Sequence, residues 1–234
     1  MVTDYDGADL DGADSVGADS VGADYSDTID IPNTEVNMML VNSLIDNGWD
    51  GYWREKGNKI VIGVEDKTQT IRSRINGRPF EYYEAQRLAV CLAVQLEQLV
   101  NIKKSFLFFD LDDITIIDDQ WYIINCYDKS DKSDKIVDIV MDDEDKVNNV
   151  EFWKPVRLKG DFMAPEIQSF FQTREGEREL PFYTNVSCIY YSIALLIMEV
   201  LHISDTVPVA GSPMFFFLER CLEKNPDNRF FLFV

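Results

Sequence analysis

Carboxylate side chains are concentrated directly after a hydrophobic run near the middle of the chain. Asp110, Asp112 and Asp113 follow the run Phe106–Phe109, and two further aspartates stand at 118 and 119. Carboxylates can serve as general bases or as ligands of a divalent cation. The run lacks the glycine and the glutamate that an EF-hand loop requires, so an EF-hand is excluded. Such a run of carboxylates more often forms a solvated acidic turn. Whether it can perform chemistry depends on the helices and strands that position it.

Nucleophilic and metal-ligating side chains of other kinds are few. The single histidine, His202, argues against a Ser–His–acid or Cys–His–acid catalytic system and against a histidine-rich metal site. The cysteines at 91, 126, 188 and 221 are widely spaced and form no Cys-x-x-Cys pair. We therefore expect reduced core thiols of a cytosolic protein, and we predict no metal-binding residue.

Hydrophobic periodicity predicts the elements around the acidic run. Apolar residues at helical spacing predict a helix over Val36–Asn47 and a long, mostly buried helix over Glu81–Val100. Between them, Gly51–Val64 is typical of a hairpin with its turn at Lys56–Lys59. Short strands are predicted at Phe106–Phe109, Ile114–Ile117 and Trp121–Ile124, a polar loop at Asp128–Lys146, and a helical C-terminal half at Phe152–Val234, with helices at about 185–201 and 213–224.

The net charge of −20 belongs to two segments. Residues 1–30 hold nine aspartates and no Lys or Arg, and residues 110–145 hold thirteen acids and three lysines. The rest of the chain is close to neutral. Direct binding to nucleic acid, which needs a basic face, is therefore not expected, whereas binding to a basic protein stays open.

The N-terminal segment repeats a five-residue unit, DGADL-DGADS-VGADS-VGADY, over residues 6–25. This repeat contains too few apolar residues for their burial to offset the conformational entropy lost on ordering. We therefore expect residues 1–33 to be a disordered acidic tail. No signal-like segment is apparent at the start. The longest apolar run, Val186–Leu201, is interrupted and too short for a bilayer, which favours a buried core helix and no membrane association.

Two motifs in the C-terminal part resemble eukaryotic-type protein kinases. Gly160–Ile167 reads GDFMAPEI, and Leu218–Phe230 reads LERCLEKNPDNRF. They are similar to the family's Ala-Pro-Glu segment and to its Leu-x-x-Cys-Leu-x-x-x-Pro-x-x-Arg pattern. The resemblance covers roughly residues 78–234 and is nearest to degenerate, minimal kinase-like proteins of large DNA viruses. It implies that Glu166 and Arg229 form a buried ion pair, a structural latch between distant parts of the chain.

The resemblance also implies an architecture. The expected fold class is α+β and protein kinase-like, with a reduced N-terminal lobe over residues 34–77 and a mainly helical C-terminal lobe over residues 78–234. The reduced lobe would consist of the first helix and the β-hairpin.

Most residues that perform phosphoryl transfer in the family are replaced in this chain. On the catalytic-loop pattern H-R-D-L-x-x-x-N, Asp110 keeps the place of the Asp. Phe108 and Phe109 replace the His and the Arg. Asp112 replaces a Lys that would offset phosphate charge, and Thr115 replaces the metal-binding Asn.

The ATP-binding parts are also degraded. No GxGxxG is present, and Lys59 and Lys67 flank the IVIGV strand without lying inside it, so Lys59 is only a weak candidate for a cofactor contact. The Asp-Phe-Gly motif aligns with Cys126-Tyr127-Asp128, so its magnesium ligand is lost unless Asn125 or Asp128 substitutes. The Asp that tethers the catalytic loop in the family becomes Ile189.

The resemblance therefore favours a pseudokinase that acts as an interaction or regulatory module, with Asp110 vestigial and no cofactor. ATP and Mg²⁺ would bind only if the chain were a divergent active Ser/Thr protein kinase. We expect a protein partner, which the acidic segments suggest is basic, and a viral protein in the cytoplasm or nucleus of a host cell or packaged in the virion.

Two alternatives stay open. The stretch FFDLDDIT also resembles the first motif of haloacid-dehalogenase-type phosphatases, in which Asp110 would be the nucleophile and Asp112 an acid–base. Ile114 stands where that motif has Thr, and that fold needs a parallel sheet with alternating helices. The second alternative is an acidic scaffold that captures basic proteins in a salt-sensitive way.

Overall fold

The computed structural model describes residues 27–65, 68–124, 136–141, 148–152, 160–173 and 179–231. Within these ranges the chain is a mixed α+β protein. The helices are α1 (Glu35–Asp46), α2 (Ile71–Ile75), α3 (Tyr82–Asn101), α4 (Pro165–Gln172), α5 (Cys188–Val200) and α6 (Pro213–Cys221). The strands are β1 (Asp27–Pro32), β2 (Trp53–Lys56), β3 (Lys59–Val64), β4 (Gln69–Thr70), β5 (Lys104–Phe106), β6 (Ile114–Ile117), β7 (Trp121–Ile124), β8 (Ile136–Met141), β9 (Asn148–Phe152) and β10 (Phe182–Asn185).

The described strands form small antiparallel sheets. Their orders are β1-β3-β2, β4-β6-β7 and β10-β9-β8-β5, and every neighbouring pair runs antiparallel. A haloacid-dehalogenase-type fold is built around a parallel sheet. The pairing seen in the described part of the chain therefore does not favour the phosphatase alternative.

The predicted hairpin is present, and β1 extends it. β2 and β3 are joined by a two-residue loop in which Gly57 has a φ of +63°, a conformation that suits glycine. β1 pairs with the other side of β3, and Ile31 is buried there opposite Ile60. The prediction of a disordered tail over residues 1–33 is therefore wrong for β1, because Ile29 and Ile31 alternate with polar residues and find a partner strand. Residues 1–26 lie outside the described residues.

The long helix α3 forms as its apolar spacing predicted. A capping box between Glu81 and Glu84 starts it, since each side chain accepts from the other residue's backbone N–H. The buried Gln95 amide faces β7, donating to Tyr122 O at 2.7 Å and accepting from Ile124 N at 2.9 Å. The Gln95 side chain thus forms hydrogen bonds with backbone groups of β7 that a neighbouring strand would otherwise form.

One large hydrophobic core crosses the predicted boundary between residues 77 and 78. It extends from Ile31 to Cys221, with α1 packed against α3 and β7. The pairing of β4 with β6 joins the two ranges as well. The ranges predicted as two lobes therefore share one core. A smaller core lies among β8, β9, α4 and the start of α5 and contains Phe108.

Strands also interrupt two predicted segments. The polar loop predicted over Asp128–Lys146 contains β8, where Val137 and Ile139 are buried and Asp138 is exposed. The C-terminal half predicted as helical contains β10. Both predictions are wrong for these strands. The many charged residues around β8 masked its alternation of apolar and polar residues. In addition, strand pairing depends on partners that are distant in the sequence.

The cysteines and the apolar run behave as predicted within the described ranges. Cys91, Cys188 and Cys221 are buried free thiols, whereas Cys126 lies outside the described residues. Burial raises the pKa of Cys188 to about 12, so this thiol stays protonated at neutral pH. The run at 186–201 forms the buried core helix α5. Among the described helices, none combines the length and the apolar character that crossing a membrane demands.

Candidate functional site

The segment that carries Asp110 connects β5 to β6 and is anchored by two aromatic side chains. Phe108 packs in the smaller core and Phe109 in the larger one, and both are fully buried. In the kinase resemblance these positions belong to His and Arg. Here they serve as hydrophobic anchors on either side of the backbone that leads into Asp110.

The turn after Asp110 is closed by Asp113. The Asp113 carboxylate accepts from the Asp110 backbone N–H at 2.7 Å, and the Asp113 N–H donates to Asp110 O at 3.0 Å. The side chain of Asp113 is nearly buried. The Asp113 side chain therefore closes the turn by accepting from the N–H of the residue at which the turn begins.

Ser192 on α5 holds the same segment from the opposite side. The Phe109 N–H donates to Ser192 Oγ at 2.8 Å inside the core. Ile189 stands where the resemblance has the tethering Asp, and Ser192, three residues later on the same helix face, supplies an acceptor to the segment instead. A buried serine in an otherwise apolar helix needs a hydrogen-bond partner. The position of Ser192 within the apolar run therefore indicated such a contact already in the sequence.

Arg72 on α2 places a positive charge beside the acidic turn. Its Nε donates to Asp112 Oδ2 at 2.6 Å, and its backbone N–H donates to Leu111 O at 3.3 Å. The hydrogen bond to Asp112 and the nearby charges of Asp110 and Asp161 raise the pKa of Arg72 despite partial burial. The sequence pattern indicated Lys59 as the candidate cation and did not indicate Arg72, because Arg72 lies forty residues from Asp112.

The segment at 160–164 crosses the Asp110 turn. The Asp161 N–H donates to Asp110 Oδ1 at 3.2 Å, and Phe109 and Phe162 form an antiparallel bridge. A Cβ on Gly160 would stand 2.2 Å from the buried Phe108 ring. Glycine is required there because the ring has no space to move away.

The structure brings Glu166 and Arg229 together, as the resemblance implied. Arg229 Nη1 and Nη2 donate to the two Glu166 oxygens at 2.5 and 3.0 Å. The Arg229 Nε donates to Glu223 O at 2.6 Å, and the guanidinium lies 4.8 Å from the Tyr191 ring centroid. The Arg229 side chain is 0% exposed and that of Glu166 is 20% exposed. The pair therefore joins the start of α4 to the segment after α6.

Lys59, the weak candidate for a cofactor contact, lies elsewhere. It stands at the start of β3, where Nζ approaches Asp30 Oδ2 at 2.9 Å across the sheet. About half of its side chain is exposed. The described contacts of Lys59 join β1 to β3 and do not include the Asp110 turn. Lys67 lies outside the described residues.

Thr115, which stands where the resemblance has a metal-binding Asn, lies against aliphatic side chains. It lines a cavity of only about 10 Å³ between the β1-β3-β2 sheet and the β6–β7 hairpin. Ile31, Ile62 and Ile124 line the same cavity. This volume is at the lower limit for one water molecule and far below that of a ligand pocket.

Among the described residues, no three or more His, Cys, Asp or Glu side chains are grouped in a way that could hold a metal ion. The chain matches no protein-family model and no curated protein.

Proposed function

We propose that this chain is a catalytically impaired protein kinase-like protein, a pseudokinase that acts as an interaction or regulatory module. The observation that carries the proposal is the packing around Thr115. The position expected to hold a metal ligand lines a space of only about 10 Å³ among aliphatic side chains, which is too small for the phosphates and Mg²⁺ of a nucleotide.

The surroundings of Asp110 support the same proposal. The carboxylate accepts a backbone hydrogen bond from Asp161, and the cation nearest in the described contacts, Arg72, is bound to Asp112. A guanidinium engaged by a carboxylate is a poor partner for developing phosphate charge. The Glu166–Arg229 pair supports a kinase-like arrangement in which residues 78–234 form a C-terminal lobe and residues 34–77 form a reduced N-terminal lobe that packs on the same core. The viral origin and the host-cell location rest on the resemblance and stay predictions.

Thermal unfolding with ATP and Mg²⁺ tests the proposal. We expect no rise in Tm above about 1 °C at millimolar nucleotide, since a ligand raises Tm only by binding the folded state. We also expect no transfer of labelled phosphate to protein substrates and no hydrolysis of p-nitrophenyl phosphate.

Asp110→Asn and Asp50→Asn form the matched pair of variants, because Asp50 is exposed and each change removes one carboxylate charge. A Tm rise of several degrees or a measurable turnover that is lost in Asp110→Asn and kept in Asp50→Asn would overturn the proposal. Phosphate transfer would then favour the active kinase, and phosphatase turnover the haloacid-dehalogenase alternative.

A further inference from the structure

A mostly apolar groove of about 640 Å³ lies between α3 and the start of α5. One face of α3 lines it, because residues three and four apart lie on the same side of a helix. The α3 residues in the groove include Val90, Ala93, Val94, Glu97, Val100 and Asn101. Val186, Ile189, Tyr190 and Phe231 line much of the rest. The space is large enough for several side chains.

The groove lies where the two hydrophobic cores meet. Ile189 belongs to the larger core, whereas Val186 belongs to the smaller one and Val100 packs against it. An apolar side chain in the groove would therefore remove surface of both cores from water, which is stabilising. Glu97 and Asn101 are exposed one helical turn apart, so an extended segment bound here would also find partners for its backbone groups.

The last described residues are fixed against the same groove. The Phe231 ring packs on Tyr190 and on Phe217, with ring centroids 5.3 and 5.0 Å apart. The carbonyl oxygen of Phe230 accepts from the Cys221 thiol at 3.8 Å. The backbone that leads to residue 232 is therefore held beside the groove.

The next residues in the sequence, Leu232, Phe233 and Val234, are all apolar and lie outside the described residues. Three residues span at most about 10 Å. The part of α3 from Val90 to Asn101 is about 16 Å long at 1.5 Å per residue, so these three can reach well into the groove. Because they are attached beside it, their effective concentration there exceeds that of a separate apolar ligand.

We propose that this groove binds residues 232–234 of its own chain, with their apolar side chains against α3 and α5. The inference goes beyond the proposed function, because it depends on the groove and on the position of Phe231 and holds whether or not the chain binds ATP.

Disulfide cross-linking in the full chain tests the location directly. Val94→Cys and Phe233→Cys, in a Cys126→Ser background, place one thiol in the groove and one in the segment. We expect this pair to cross-link within the monomer, since a disulfide needs Cα atoms about 4.4–6.8 Å apart. Phe233→Cys with Glu223→Cys is the control, because Glu223 is exposed and contacts Arg229 outside the groove. The control pair should cross-link at least about tenfold more slowly. Equal rates would overturn the inference.

Thermal unfolding gives a second, independent measurement. Phe233→Ala should lower Tm by about 4 °C or more, because it removes a ring from the groove. Phe216→Ala is the matched control, since Phe216 is 51% exposed on α6 and its loss should shift Tm by less than about 2 °C. In a Val94→Asp background, where a carboxylate disfavours an apolar occupant, Phe233→Ala should cause little further loss. Equal shifts in the two Phe variants, or additive losses in the double variant, would contradict the proposal.

Two other occupants give different results. A second copy of the chain in the groove would make the molar mass from light scattering rise with concentration, and Val94→Asp would abolish that rise. An apolar helix of a partner protein would leave the Tm of the isolated chain unchanged by Phe233→Ala. Either result overturns the inference. Neither would bear on ATP binding, so failure here is distinguishable from failure of the pseudokinase proposal.

Discussion

At the scale of single residues, Arg229 shows how a charged group is kept inside the protein. A guanidinium removed from water costs several kcal/mol unless its donors find acceptors. Here its N–H groups reach both Glu166 oxygens and the carbonyl groups of Glu223 and Lys224. Lys59 and Asp30 form the opposite case, an ion pair about half exposed on both sides.

Glu166→Ala or Arg229→Ala should therefore lower the free energy of unfolding by about 3–5 kcal/mol, because each leaves an uncompensated buried or half-buried charge. The double variant should cost less than the sum of the single ones, since the second change removes that charge. Urea unfolding at neutral pH measures all three values.

The exposed pair is the control for this cycle. Lys59→Ala, Asp30→Ala and their double variant should each stay within about 1 kcal/mol of wild type. Small and additive losses at Glu166 and Arg229 would contradict a buried latch between them.

At the scale of elements, α5 organises the Asp110 segment from within the core. α5 presents buried aliphatic side chains to the larger core, and Ser192 stands among them. The Ser192 hydroxyl oxygen accepts from the buried Phe109 N–H at 2.8 Å. The helix therefore positions the turn by one buried hydrogen bond together with the aromatic anchors Phe108 and Phe109.

Ser192→Ala should destabilise the protein by about 1–3 kcal/mol, because it leaves the buried Phe109 N–H without its acceptor. Ser43→Ala is the matched control. Ser43 is also fully buried on a helix, but its hydroxyl donates to Leu40 O in its own helix, so its loss should cost less than about 1 kcal/mol.

Urea unfolding compares the two serine variants, and amide hydrogen exchange at Phe109 tests the mechanism directly. Faster exchange at Phe109 in Ser192→Ala than in Ser43→Ala is expected. Equal stability and equal exchange in both variants would show that the α5 contact does not hold the turn.

At the scale of the whole molecule, the continuous core links the first described strand to the last helix. Ile31 on β1 and Cys221 on α6 belong to the same buried cluster, and α1 packs on α3 across the boundary predicted at 77/78. Parts of a chain that share one core lose their packing together.

Thermal and urea unfolding of the wild-type protein should therefore each show one cooperative transition. Tryptophan fluorescence reports on Trp49, Trp53 and Trp121 among the described residues, while far-UV circular dichroism reports mainly on the helices. Coincident curves from the two methods are expected. Curves that do not coincide would contradict a single cooperative core.

Local patterns predicted much of the fold and only part of the candidate site. α1, α3 and the β2–β3 hairpin follow from apolar spacing and turn residues that are read within one segment. β1, β8 and β10 were missed, because a short strand is stable only beside its partner, and these partners are distant in sequence. The contact of Glu166 with Arg229 came from the resemblance, whereas Arg72 and Ser192 were found only in the structure.

The amino-acid sequence was sufficient to predict α1, α3, α5 and the hairpin, the reduced cysteines of the described core and the concentration of acidic charge in two segments. These properties depend on composition and on neighbours within a few residues. The packed structure was needed to show that Arg72 contacts Asp112 across 40 residues and that Ser192 contacts Phe109 across 83. The physical reason is that such contacts depend on how the whole core packs, which no local pattern specifies.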